Sequence, residues 1–313
     1  MEKNRKILTV ILIFLMISMV LSLVQINSTI NKNSSKQKIN GIPVEFAPGI
    51  GVLRVSGVIS SASAGGFSQK SMHEAVIDRI NFLMTDDNIK AVVMRVDSPG
   101  GTVAATQEIY QKLLELRKKK PVVVSMGDLA ASGGYYISSA ANYIYANQGT
   151  MTGSIGVIIS APNFKGLMEK LGIRMNVIKS GKYKDILSSS RDLSEDEKAL
   201  LQELIDNCYG QFLKDVSLGR NIPIDDFKQF ADGRIFTGSR GTEIGLIDGV
   251  GTFSDAVRKA GELADLPDGS PLYDETSSPF DILFSGVTSL SKNNFFDSVS
   301  GAGSVILEYR YVP

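Results

Sequence analysis

The 313 residues contain one cysteine, one histidine and no tryptophan, and basic and acidic side chains balance at 33 each. Each shortage excludes something. A lone cysteine, Cys208, cannot close an intramolecular disulfide or supply a thiolate pair to a metal. It reads as a helix residue buried among apolar neighbours. A single histidine, His73, rules out a histidine-rich metal centre, although the count leaves an all-carboxylate Mg or Ca site untouched. The zero balance of charge removes the global bias expected of a nucleic-acid binder. A Ser-His-Asp triad would have to recruit His73, which sits on a Lys- and Glu-flanked helical stretch.

The chain has enough apolar content, 43%, to bury a full core. Residues 1–6 are polar and basic, and Ile7 to Val24 is broken only by Thr9, Ser18 and Ser22. About twenty apolar residues span a bilayer. With no small-x-small cleavage site near its end, 7–26 reads as an uncleaved transmembrane signal anchor. The basic flank 1–6 then stays in the cytoplasm and the rest lies outside the cell membrane. Residues 27–48 form a polar stalk, 49–266 a folded domain, and 267–313 a tail whose periodicity fades.

Within 49–266 strand and helix patterns alternate. Strands are expected at Val52–Ile59, Ile89–Val96, Val122–Met126, Tyr143–Ala146, Ile155–Ile159 and Asn176–Lys179. Helices are expected at Ser71–Met84, Val103–Lys118, Phe164–Leu171, Ser239–Ile244 and Thr252–Ala264, with a long one opened by the capping box Ser194-Glu195-Asp196-Glu197 and running to about Val216 or Leu218. This alternation argues for an α/β fold with a mainly parallel sheet.

Two glycine turns lie where strands feed helices. Met126-Gly127-Asp128-Leu129-Ala130-Ala131-Ser132-Gly133-Gly134-Tyr135-Tyr136 follows the β-forming run Val122–Val124 and surrounds one serine with small residues. A tight turn into a helix would expose Ser132 beside backbone N–H groups and the positive helix end, a nucleophile's setting, although a serine there also serves as an ordinary N-cap. Asp97-Ser98-Pro99-Gly100-Gly101 offers a second turn whose N–H groups could hold an oxyanion. Asp97 fits as a residue that caps or orients this turn rather than as a base. With histidine scarce, a lysine is the better base, and Lys179, Lys182 and Lys184 surround one polar loop. A lysine must be neutral to take a proton. Moving its pKa from about 10.4 toward 7 costs roughly 4 to 5 kcal/mol, which desolvation can supply.

Arg95-Val96-Asp97-Ser98-Pro99-Gly100-Gly101, Ser125 through Tyr136, Thr152-Gly153-Ser154-Ile155-Gly156-Val157 and Ser180-Gly181-Lys182-Tyr183-Lys184 resemble, in order and spacing, the bacterial signal peptide peptidase (SppA) family. The resemblance runs from about Gly51 to Ala264. It implies the ClpP/crotonase-like superhelix of repeated ββα units and a serine endopeptidase with a Ser/Lys dyad that needs no metal or organic cofactor. Carried onto this sequence, it makes Ser132 the nucleophile, Lys184 the general base, Ser154 the hydroxyl that orients the lysine, and Gly100 and Gly133 the oxyanion donors. Remnant signal peptides become the substrates. Long members of the family carry two tandem copies with lysine in one and serine in the other, so a single-copy chain is expected to share its sites across a homo-oligomer. Two other functions share features of the sequence. A crotonase-type acyl-CoA enzyme would rely on carboxylates, of which only Asp128 lies close to the serine in sequence, and a catalytically silent membrane scaffold would keep the fold without the chemistry.

Overall fold

Valine and isoleucine crowd the runs that become the central strands, and these are apolar on both faces because helices cover both. The computed structural model describes residues 47–62 and 70–274, together with the backbone of strands at Lys38–Ile39, Ile42–Pro43 and Leu307–Arg310. The chain divides into a unit of residues 1–47 and a unit of residues 48–313. In the first, the described strands form one antiparallel pair. The expected anchor at 7–26 lies outside the described residues, and none of the helices within them is long and apolar enough to cross a membrane.

In the second unit, β1 (Gly49–Ser56), β2 (Ile89–Ser98) and β4 (Val122–Ala131) run parallel, β2 in the middle. Strand β4 then forks. Its first half pairs with β5 (Tyr143–Ala146) and its last residues pair with β6 (Met151–Gly153), both parallel. The short strand β8 (Ile235–Thr237) closes the far edge antiparallel to β6. Strand β9 (Gly249–Val250) extends β5, and β10 (Leu272–Tyr273) extends β1. The sheet therefore continues past residue 266, and Arg79 fastens its last strand by donating to both Val52 O and Tyr273 O.

Successive side chains of a strand point to opposite faces, and β2 uses both. Val92, Met94 and Val96 face a large core shared with α1 (Met72–Thr85), α2 (Val103–Arg117), α3 (Gly133–Ser138) and α5 (Glu195–Arg220). Ala91 and Val93 face α8 (Phe253–Leu263), through Ala256 and Ala260. Capping boxes begin α1, at Ser71 with Glu74, and α5, at Ser194 with Glu197. Cys208 is half-buried on α5 against this core, and burial pushes its thiol pKa up.

Three expectations change. The strand expected at Ile155–Ile159 shrinks to β7 (Ile158–Ile159), the two residues of that run that pair with a neighbouring strand. The strand expected at Asn176–Lys179 does not form: residues 172–184 are exposed and no strand among the described residues pairs with them. In the opposite direction β4 outruns its expected end at Met126 by five residues, carrying the chain to Ala131.

Candidate active site

The last residues of β4 determine what Ser132 can do. The register of β4 against β2 shifts between Val96 and Ser98, so that Ser98 lies opposite Ala130. Asp97 steadies the irregular stretch by accepting a hydrogen bond from Leu129 N–H on Oδ1 at 3.1 Å, a contact with β4 rather than with the Ser98–Gly101 turn it was expected to cap or orient. Directly after Ala131 the backbone of Ser132 turns to φ 51°, ψ −115°, and α3 begins. Positive φ in a residue with a Cβ is strained, and such strain concentrates where a nucleophile is held on a strand-to-helix turn. Small neighbours permit the turn. A Cβ on Gly134 would stand 2.6 Å from Ser98 O.

Several contacts over-determine this conformation. Ser132 N–H donates to Gly153 O at 2.8 Å, and Tyr136 N–H donates to Ser132 O at 2.8 Å. The short helix is anchored by two fully buried tyrosines. Tyr135 donates to Leu246 O at 2.9 Å, and the Tyr136 hydroxyl bonds the Asp215 carboxylate.

Ser154 is the nearest functional neighbour. Ala131 and Gly153 are partners across β4 and β6, so Ser132 and Ser154 each follow a paired position and leave the sheet side by side. Both have positive φ, 51° and 50°, and both are buried. Sequence spacing alone did not bring them together; the fork in β4 does.

The Ser98–Gly101 turn lies on the other side of the serine. Ser98 Oγ donates to Gly57 O at 2.6 Å and accepts from Gly100 N–H at 3.1 Å. The Gly100 N–H, expected as an oxyanion donor, is thus already committed. Its neighbour is oriented differently. Ile59 N–H donates to Gly100 O and Thr102 N–H donates to Ile59 O, both at 2.8 Å, so the N–H and C=O of Gly101 between them face away from Ile59. Only glycine fits there, since a Cβ would lie 1.8 Å from Ile59 O. Gly133 opens α3, where a first-turn N–H has no partner within the helix.

The three lysines separate by their partners. Lys179 Nζ lies 2.5 Å from Asp185 Oδ1 and Lys182 Nζ pairs with Asp196. The hydrogen bond that Lys182 donates to Asp196 holds the lysine above its usual range, the wrong direction for a base. Lys184 is exposed, and among the described residues its amine has no acidic partner and no hydrogen bond to Ser132 or Ser154. Asp185 is part of a clasp with Arg191 and Glu197. Arg191, then Lys179, holds the Asp185 carboxyl far below the usual carboxylate range, and Arg191 with the Ser194 N–H holds Glu197 at about 2. His73 Nε2 lies 2.7 Å from Glu108, between α1 and α2, and takes no part in the serine's surroundings. Asp128 is exposed.

A strained, buried serine at the end of a parallel strand, flanked by glycine N–H groups, defines the class of hydrolases that act through a serine nucleophile. The sequence matches the family model for Clp protease over residues 61–160 and that for Peptidase family S49 over residues 115–267. It is 50% identical over 189 residues to a putative protease of Synechocystis sp., covering 60% of this chain and 68% of that protein. It is 38% identical over 208 residues to a putative signal peptide peptidase SppA of Enterococcus faecium, covering 66% of this chain and 60% of that one. With the chloroplastic serine protease SPPA of Arabidopsis thaliana it shares 36% identity over 221 residues, 70% of this chain but 33% of the relative's length. The chain belongs to peptidase family S49. It is a serine peptidase with the Ser/Lys dyad of that family.

Proposed function

We propose that this chain is a membrane-anchored endopeptidase that cuts remnant signal peptides, with Ser132 as nucleophile and Lys184 of a neighbouring copy as general base. The observation that carries the reading is the strained elbow at Ser132, set beside Ser154 by the fork in β4. Neutral Lys184 takes the Ser132 hydroxyl proton as Oγ attacks the peptide carbonyl, while Ser154 Oγ orients the lysine amine. The oxyanion is held by the N–H groups of Gly133 and, because Gly100 N–H is taken by Ser98, of Gly101 rather than Gly100. The lysinium then gives its proton to the leaving amine, and water resolves the acyl-enzyme.

A shared site is supported by what the lysine segment lacks. Lys184 is exposed, yet a lysine base needs desolvation to be neutral. Phe164, Leu167, Leu171, Ile173, Met175 and Ile178 are exposed along the same stretch, an apolar surface that a second copy would cover. Closed homo-oligomeric symmetry repeats such a contact around a ring of ClpP-like ββα units. The signal-peptide substrate is supported by the likeness to the putative signal peptide peptidase of Enterococcus, and the membrane placement, with the N-terminus cytoplasmic and the catalytic domain extracytoplasmic, by the apolar run 7–26.

A fluorophosphonate probe tests the nucleophile: it should label the wild type and leave Ser132→Ala unlabelled. Mixing Ser132→Ala with Lys184→Ala under subunit exchange tests the sharing. A fraction of wild-type activity should return, and none despite demonstrated mixing would end the shared-site reading while leaving the dyad in place.

A further inference from the structure

The strained turn at Ser132 feeds a helix of only six residues, α3. A helix that short does not hold itself in place, so its packing decides where the turn before it sits. On one flank α3 packs against β3 (Gly100–Thr102), the strand that carries the Gly101 N–H. Its seating therefore sets the separation of the Gly133 and Gly101 donors as well as the direction of the Ser132 side chain. Two side chains pin it. Tyr135 and Tyr136 are consecutive and so stand about 100° apart around the axis, which lets the pair fix its rotation. The Tyr135 hydroxyl is tied to a backbone carbonyl, Leu246 O. Tyr136 closes the first helical hydrogen bond, from its N–H onto Ser132 O at 2.8 Å, and its hydroxyl is tied to a side chain, the carboxylate of Asp215.

Asp215 is an unusual residue for its place. It is 4% exposed, on the buried face of α5 that also carries Phe212 and Val216. Its carboxylate meets neutral donors, the Tyr136 hydroxyl on Oδ2 and the Gln211 amide on Oδ1 at 2.9 Å, and among the described residues it forms no ion pair. Its backbone carbonyl accepts from the Tyr110 hydroxyl at 2.7 Å, and the Tyr110 and Tyr136 rings meet edge-on with centroids 5.1 Å apart. Stability alone does not account for a carboxylate here, because apolar residues of similar volume often replace buried charged groups without loss. What an apolar side chain lacks is an acceptor with a direction. A satisfied buried polar contact specifies one arrangement of its partners, which apolar packing does less narrowly.

We propose that Asp215 is a positioning residue for the nucleophile: by holding the Tyr136 hydroxyl it fixes the rotation of α3, and so keeps Ser132 in its strained conformation and the Gly133 N–H aimed at the oxyanion. This rests on the serine-peptidase reading of Ser132. Asp215 touches no reacting atom and acts only through Tyr136. When the pin is lost, α3 turns within an intact fold and the strain at Ser132 relaxes. Oγ and the Gly133 N–H then leave the place where one peptide carbonyl must meet both, and a misplacement of about 1 Å costs a reaction roughly a hundredfold.

The test uses the full chain in detergent, at a temperature well below the lowest melting temperature among the variants. For a fluorogenic peptide, Asp215→Leu and Tyr136→Phe should each lower kcat about tenfold to a hundredfold with KM within about twofold, and fluorophosphonate labelling of Ser132 should slow by a similar factor. The double variant should lose no more than either single one, because both remove the same contact. Asp215→Asn should stay within about threefold of wild type, since its amide oxygen still accepts from Tyr136 and the Gln211 amide can turn its own oxygen to the new N–H. Amide hydrogen exchange over residues 133–136 should be faster in Asp215→Leu and Tyr136→Phe and unchanged in Asp215→Asn. Should Asp215→Leu fail to fold, Tyr136→Phe carries the same test, because it keeps the ring packed against Tyr110 and Phe212. Wild-type kcat, labelling and exchange in folded Tyr136→Phe, or losses that multiply in the double variant, would overturn the proposal. A wild type that takes no label would instead overturn the nucleophile assignment, and exchange over 133–136 would still decide whether Asp215 holds the helix.

Discussion

Most residues between Val122 and Ser154 are buried, whereas none between Gly172 and Ser194 is. The first segment carries the proposed nucleophile and the second the proposed base. Around Ser132 the backbone is fixed by paired strands, by Gly153 and Tyr136, and by tyrosines inserted into the core, so an unfavourable φ persists because its surroundings leave no alternative. Around Lys184 the chain makes turns, carries exposed apolar side chains and is held at one end by the Asp185–Arg191–Glu197 clasp. On the proposed assignment, one copy is finished at the serine and unfinished at the lysine. A nucleophile needs placement, which a single core can give, whereas a neutral lysine needs exclusion from water, which an exposed segment gains only from a partner.

The largest effects should come from breaking either half chemically. Ser132→Ala and Lys184→Ala should each reduce kcat/KM by about 10⁴-fold or more, since members of a catalytic unit fail together, with melting temperatures close to wild type. Lys182→Ala, which loses an exposed ion pair with Asp196, should stay within a few-fold. If Lys182→Ala is inactive and Lys184→Ala is not, the base has been assigned to the wrong lysine. Ser154→Ala is the intermediate case. Loss of the orienting hydroxyl should lower kcat by about tenfold to a hundredfold and leave KM nearly unchanged, and a change confined to KM would place Ser154 in substrate binding instead.

The serine half was legible in sequence because its signals are local. A β-forming run, then small residues, then a helix start mark the turn at Ser132 within a dozen positions, and Tyr143–Ala146 and the Ser194 capping box read equally directly. Less legible was everything decided by a distant partner. Gly127 and Asp128 interrupt the apolar pattern, which therefore marks β4 only as far as Met126, but Asp97 on the neighbouring strand carries it onward. Gly100 and Gly101 are indistinguishable by composition. The Ser98 hydroxyl takes the N–H of Gly100, and Ile59 leaves that of Gly101 facing the other way. Asn176–Lys179 has strand-forming residues and no ladder among the described residues, whereas Leu307–Arg310 has a ladder with residues some two hundred positions away and no distinguishing pattern. Pairing, more than propensity, makes a strand.

A pair of glycine substitutions sharpens the contrast in stability. Gly134→Ala puts a methyl group 2.6 Å from the backbone oxygen of Ser98, which cannot swing aside, so the cost should be about 1 to 3 kcal/mol with activity falling as the elbow shifts. Gly181→Ala meets nothing within 4 Å and should change stability by less than about 0.5 kcal/mol. Chemical denaturation measures both. Equal losses would mean that the lysine segment is as tightly packed as the serine turn.

The smallest effect should appear in acid and be confined to the lysine half. Asp185 and Glu197 have folded-state pKa values lowered chiefly by Arg191, so the clasp stabilises the folded loop at pH values above the ordinary carboxylate range near 4. That contribution is lost as pH falls from about 4 toward the folded value of about 2 for Glu197, because each proton bound then removes a partner from Arg191. The serine half is held mainly by backbone bonds and apolar burial, to which the carboxylates of Asp97 and Asp215 add single contacts. Hydrogen exchange, corrected for the intrinsic pH dependence of the amide rate, should therefore show residues 185–197 losing protection between about pH 4 and 2.5 while residues 122–136 keep theirs. Arg191→Met should remove the pH step by leaving the loop equally open across the range. A clasp that stays protected to pH 2.5, or a serine turn that opens together with it, would mean that the two halves are coupled parts of one unit.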